Sequence, residues 1–174
     1  DKPLKLTEVI NRLLTGLTTD ILATGGTIDK YMGDCIMAFW NAPLQQSDHA
    51  ARATSSAESM LNHIDGINDE LIRDDLASEP FRVGIGVGSG ICVVGNMGSE
   101  QRFDYTVLSD VVNTVSRLEG MTKQYGVGAL LTGQTVQSLV EPEQEKLLEI
   151  DWVQMKGKSE ATTVPDLLLS SAES

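Results

Sequence analysis

Two pairs of polar residues stand at spacings that could bring them to bear on one substrate. Lys30 and Asp34 are four residues apart, with Asp34 directly after Gly33 between the short apolar runs TIDKYM and CIMAFW. A carboxylate in that place is either a turn former that bonds its own backbone or a hard oxygen ligand for a divalent cation. Lys30 is either a cation for a ligand or an edge-strand charge that discourages aggregation. Asn113 and Arg117 are also four apart, within the run from Ser109 to Tyr125. At roughly 100° per residue from Val111, Val115 and Leu118 fall near 40° and 340°, while Asn113 and Arg117 fall near 200° and 240°. The apolar three make a stripe for a core, and the Asn/Arg pair faces away from it. Such a pair is by itself ordinary solvated surface, and only its neighbours can raise it to a site.

The elements that must position these residues are legible from periodicity. Leu6, Val9, Ile10, Leu13, Leu14, Leu17 and Ile21 recur at helical spacing, and Gly25-Gly26 ends that helix. The two runs around Gly33-Asp34 read as a tight hairpin, closed by Asn41-Ala42-Pro43. Ser47 can cap a second helix carrying Ala50, Ala53, Ala57, Met60, Leu61, Ile64 and Leu71, with an acidic exposed loop expected from Asn68 to Pro80. From Phe81 a glycine-rich strand is expected, FRVGIGVGSGICVVGNMG. QRFDYTV follows, and then a third helix stopped by Gly126. VGALLTG reads as a strand, Thr135 to Val140 as a short helix, and LLEIDWVQM with TTVPDLLLS as a closing strand pair. Antiparallel strands mixed with helices on one face suggest an α+β sandwich.

Composition narrows the classes. A chain of 174 residues fits one domain with a sizeable core, and 41% hydrophobic against 22% charged residues is ordinary for a globular protein. No apolar run is long enough to span a membrane, and DKPLKLTEVI lacks the core of a signal peptide. A net charge of −12, from 25 acidic and 13 basic residues, argues against a nucleic-acid partner. It leaves a nucleotide open, since one triphosphate needs only a few local cations and a metal. Cys35 and Cys92 sit in apolar runs without ligand spacing, so two buried free thiols are expected rather than a disulfide or metal site.

Three segments together resemble class III adenylyl and guanylyl cyclase catalytic domains. IDKYMGDCIMAFWNAP is similar to that family's metal-binding hairpin. VGIGVGSGICVVGNMGSEQRFDYTVLSDVVNTVSRLEG is similar to its central strand, dimerisation segment and catalytic helix. VQMKGKSE resembles its closing Lys-Gly-Lys loop. The stretches punctuate almost the whole chain in the family's order. The resemblance implies a ferredoxin-like, βαββαβ-derived sandwich with a mostly antiparallel sheet, occupying residues 1–174 as one catalytic domain. It also implies a first strand bearing a second metal aspartate, which no segment of this chain matches.

The implied activity is conversion of ATP to 3′,5′-cyclic AMP and pyrophosphate at a homodimer interface, with two Mg²⁺ (or Mn²⁺) ions per active site. Asp34 corresponds to a metal ligand. Arg117 corresponds to the arginine on the α-phosphate and Asn113 to the residue that orients the ribose. Lys156 corresponds to the lysine on the terminal phosphates, with Lys158 its alternate. Lys30 and Thr106 occupy the base-reading positions and fit adenine, whose edge offers an acceptor at N1 and a donor at the 6-amino group. Guanylyl cyclases usually carry Glu and Cys there. Ser109 stands where the family usually has Gly, and a capping serine is compatible with that place. The resemblance also implies a cytoplasmic domain within a longer, membrane-anchored or multidomain sensor chain, so that membrane contact would come only through upstream segments. A guanylyl cyclase, a degenerate dimerising or nucleotide-sensing domain, and an unrelated α+β binding domain are the other readings.

Overall fold

A computed structural model of the chain describes residues 2–140, 144, 147–153 and 162–167. Helix α1 (Lys2–Ala23) buries Val9, Leu17 and Ile21. It ends where Gly25 takes a left-handed conformation (φ 77), its N–H donating to the Leu22 carbonyl and that of Gly26 to the Ile21 carbonyl. Strands β1 (Thr27–Met32) and β2 (Cys35–Phe39) then form the expected antiparallel hairpin around Gly33, at φ 66. Its register slips between Ile28 and Lys30, which makes Asp29 the extra residue of a β-bulge.

Helix α2 (His49–Arg73) carries the apolar stripe expected of it, but both ends differ from the sequence reading. Its N-cap is Asp48 rather than Ser47, and no side chain caps it. At the far end the helix runs on through Asn68, which is buried and not in a loop. The Asn68 amide donates to the Phe81 carbonyl (2.9 Å) and accepts from the Phe81 N–H (2.8 Å), clasping the chain's return to the helix. A polar residue at a helical core position is tolerated because both halves of its amide are satisfied.

The glycine-rich stretch is two strands, β3 (Ile85–Val87) and β4 (Val93–Ser99), where one was expected. β4 pairs antiparallel with β5 (Arg102–Leu108) as a ribbon. The glycines are explained by helix α3 (Asp110–Tyr125), which lies directly on this segment. A Cβ on Gly86 would collide with the Val115 carbonyl, and one on Gly88 would stand 2.5 Å from Val115 Cγ2. A Cβ on Gly90 would stand equally close to Val111 Cγ2. The row of small residues is therefore a bed for one helix, and it fixes the height of α3 above the sheet.

β3 runs parallel to β6 (Ala129–Leu131), and a four-stranded sheet of order β3-β6-β8-β7 includes β7 (Leu147–Val153) and β8 (Thr162–Leu167) in antiparallel pairing. Helix α4 (Gly133–Gln137), capped by Thr132, follows β6 and is shorter than the expected Thr135–Val140 segment. Ala129 and Leu131 pack with Ala53, Ala57 and Leu61 of α2, whereas Leu130 packs with Leu118 of α3. Successive strand residues face opposite ways, so α2 and α3 cover opposite faces of β6 and not the single face expected. The α+β sandwich itself, with its mostly antiparallel strands, is as expected.

Candidate functional site

The hairpin and the β4–β5 ribbon meet at the base of the candidate site. Lys30 Nζ lies 3.4 Å from Thr106 Oγ1, so two residues 76 positions apart and on different strand pairs are brought together as expected. The Phe39 and Tyr105 rings, with centroids 6.0 Å apart, pack the same two elements against each other.

One residue at this junction was not anticipated. The Asp29 side chain is 1% exposed and lies beneath the pair. Its Oδ2 accepts from Thr106 Oγ1 at 2.6 Å and from the Val107 N–H at 3.1 Å. Its Oδ1 stands 3.1 Å from Lys30 Nζ, an ion pair whose alignment leaves that buried oxygen without a formal hydrogen bond. An ammonium carries three protons and rotates freely, so a small torsion of Lys30 meets the need. Neighbouring residues of a regular strand point to opposite faces; the bulge is what lets Asp29 and Lys30 converge. A bulge leaves no mark in hydrophobic periodicity. The only hint was an acidic residue inside an otherwise strand-forming run, where Asp is disfavoured.

Asp34 occupies the exposed hairpin turn, and its carboxylate bonds no other described residue. The self-bonding turn former is therefore not what the structure shows. Next to it, the Cys35 thiol is pushed up from its ordinary pKa by desolvation first, and then by the negative charges of Glu119 and Asp34. The hairpin tip thus carries negative potential and an unengaged hard oxygen donor, which fits a divalent cation. Among the described residues no group of three or more His, Cys, Asp or Glu side chains is placed to cage a metal unaided. Cys35 and Cys92 are both free, as expected, but exposed where burial was expected. Each lies at the start of or just before a strand, where the apolar run has not yet entered the core.

Asn113 and Arg117 are exposed on α3, opposite the buried Leu118 and the half-buried Val111 and Val115. Ser109 caps that helix: its hydroxyl accepts from the Val111 N–H at 3.2 Å and donates to the Ile91 carbonyl at 2.7 Å. Its extended backbone (φ −171) needs no glycine. The position expected of a phosphate-binding lysine, Lys156, and its alternate Lys158 lie outside the described residues. Beside α3, Ile91 is 95% exposed, and Val93, Phe103 and Leu108 are also largely bare. No helix among the described residues is long and apolar enough to cross a membrane.

Known proteins share this sequence pattern and fold. The catalytic-domain model for adenylate and guanylate cyclases matches residues 1–165. An adenylate cyclase of Anabaena cylindrica is 37% identical over 94% of this chain and 32% of its own length. Adenylate cyclase 1 of Rhizobium meliloti is 32% identical over 85% of this chain and 22% of its own length. The chain thus spans about a third or less of the length of these curated relatives. The crystal structure of the guanylyl cyclase Cya2 superposes with a TM-score of 0.83 at 30% identity, over 95% of this chain and 81% of that one. The adenylyl cyclase CyaB from P. aeruginosa gives 0.81 at 28% identity, over 95% and 83%. Sequence and fold agree, and the chain belongs to the class III adenylate and guanylate cyclase catalytic domain family.

Proposed function

We propose that the domain is an adenylyl cyclase, forming 3′,5′-cyclic AMP and pyrophosphate from ATP in a homodimer whose sites are shared between protomers. The observation that carries the choice of base is the Lys30–Thr106 pair, an ammonium beside a hydroxyl 3.4 Å away. Lys30 can only donate, which suits adenine N1, and the Thr106 oxygen can accept from the 6-amino group. Guanine presents an N–H where Lys30 needs an acceptor, so that contact would be mismatched. Relatives bearing the name adenylate cyclase favour the same reading.

In the reaction the ribose 3′-oxygen forms a bond to the α-phosphorus, the bond from that phosphorus to the β-phosphate bridge breaks, and the hydroxyl proton is lost. Such phosphoryl transfer depends on positioning and charge stabilisation. Arg117 supplies charge where it accumulates on the α-phosphate, a role whose loss costs on the order of 3–4 kcal/mol. Asn113, one turn earlier on the same face, orients the ribose. Lys156 would hold the terminal phosphates. Divalent cations supply acidity to the attacking hydroxyl and charge to the leaving group when bound, and Asp34 is the described residue that would hold them. The bare apolar side chains Ile91, Val93, Phe103 and Leu108 support a second copy as the partner surface.

The test is a cyclic-nucleotide assay on the full-length protein, with ATP and GTP and with Mg²⁺ or Mn²⁺. Cyclic AMP as the dominant product is expected. Dominant cyclic GMP would make the domain a guanylyl cyclase, and nucleotide binding without turnover would make it a sensing or dimerising domain.

A further inference from the structure

We propose that Asp29 is a positioning residue that sets base specificity, by committing the Thr106 hydroxyl to act only as an acceptor toward the nucleotide. This rests on the adenylyl reading above and deepens it. A threonine hydroxyl is ambiguous, since its proton can turn toward either neighbour. A Lys/Thr pair alone would therefore tolerate a carbonyl at the 6-position of the base. Here the ambiguity is removed from behind. Thr106 Oγ1 and Asp29 Oδ2 are 2.6 Å apart, within the short range of a hydroxyl donating to a carboxylate. The Asp29 side chain is 1% exposed, and its Oδ2 is held in place by the Val107 N–H as well. A carboxylate offers no proton, so the hydroxyl proton belongs to Asp29 and only the oxygen lone pairs remain outward. One faces Lys30 and the other is left for the base. The same carboxylate draws Lys30 Nζ to 3.1 Å from Oδ1, holding the donor of the pair beside its acceptor. The β-bulge at Asp29 is then a functional distortion, since a regular strand would send Asp29 and Lys30 to opposite faces.

The test measures binding of 3′-deoxy-ATP and 3′-deoxy-GTP, which lack the attacking hydroxyl, to the full-length protein by calorimetry with Mg²⁺. The variants are Asp29→Asn, Thr106→Val and the double substitution, all nearly isosteric. In Asp29→Asn one carboxylate oxygen becomes an amide N–H, which must face either Thr106 and the Val107 N–H or the Lys30 ammonium. Either way the hold on the Lys30–Thr106 pair is weakened, so preference for the adenine analogue should fall by about tenfold or more. In the Thr106→Val background the same change should alter the preference less than about twofold, because Asp29 acts through that hydroxyl. In the unaltered protein, the Asp29 side-chain carboxyl carbon should show an H/D isotope shift by NMR from the Thr106 proton, a readout that needs no variant. An unchanged preference in Asp29→Asn, an equal change with and without the Thr106 hydroxyl, or no isotope shift would each overturn the role of Asp29 while leaving the adenylyl reading intact. Tighter binding of the guanine analogue by the unaltered protein would overturn both.

Discussion

Lys30 and Thr106 are 76 residues apart in sequence and 3.4 Å apart in space, and that contact is where the hairpin and the ribbon become one site. Changing Lys30 to Glu and Thr106 to Cys together reverses the donor and acceptor pattern offered to the base. ATP turnover should fall and relative GTP turnover should rise, each mismatched contact costing on the order of 1–3 kcal/mol. The measure is the ratio of kcat/KM for the two nucleotides. Full retention of ATP preference would mean that these side chains do not read the base.

Asp34 is on the hairpin turn and Arg117 is on α3, and the shared-site reading assigns the two halves to different protomers. Asp34→Ala and Arg117→Ala should each be nearly inactive alone. Mixed and allowed to exchange subunits, they should recover part of the activity, because each heterodimer carries one intact site. Absence of recovery, with exchange verified by differential labelling, would place the whole site in one protomer.

The candidate site positions on regular elements were the ones most legible in the sequence. Asn113 and Arg117 could be placed on the solvent face of α3 because 3.6-residue periodicity fixes the angle of every residue once Leu118 is buried. Gly33-Asp34 could be placed in a turn because short strand-forming runs flank it. Asp29 could not be placed, since a one-residue bulge leaves composition and alternation nearly unchanged while re-aiming a side chain. The break between β3 and β4 was hidden for a related reason. Small residues there serve the approach of α3, a demand made by a helix that comes later in the chain. Asn68 misled because an isolated polar residue near acidic neighbours reads as surface until its backbone partner, Phe81, is known.

That clasp has a measurable weight. Asn68→Ala removes both bonds to Phe81 and leaves its part-buried N–H and C=O to find water or go unpaired. The thermal stability of the domain should drop by roughly 1–3 kcal/mol. Hydrogen exchange should rise first in the segment between α2 and β3. A loss spread evenly over the domain would argue that Asn68 does not anchor that segment in particular.

The last expectation sets two glycines against each other. Gly86 sits under α3, where an added Cβ meets the Val115 carbonyl, the Val115 carbon and the Glu119 amide nitrogen. All three of these atoms are backbone, so no side-chain rotation can make room. Gly120 lies on α3 itself, and an added Cβ would meet nothing within 4 Å. Gly86→Ala must lift the helix or bend the strand, a form of overpacking that costs typically about 1–3 kcal/mol. Because α3 carries Asn113 and Arg117, the proposed catalytic reading expects lifting it to lower kcat more than it raises KM. Gly120→Ala instead removes backbone freedom from the unfolded chain in mid-helix, and should stabilise the domain by roughly 0.5–1 kcal/mol. Melting curves of the two variants should therefore shift in opposite directions. If both fell together, the space beside Gly120 would be filled in solution by the partner protomer, and if neither fell, α3 would not rest on the glycine row.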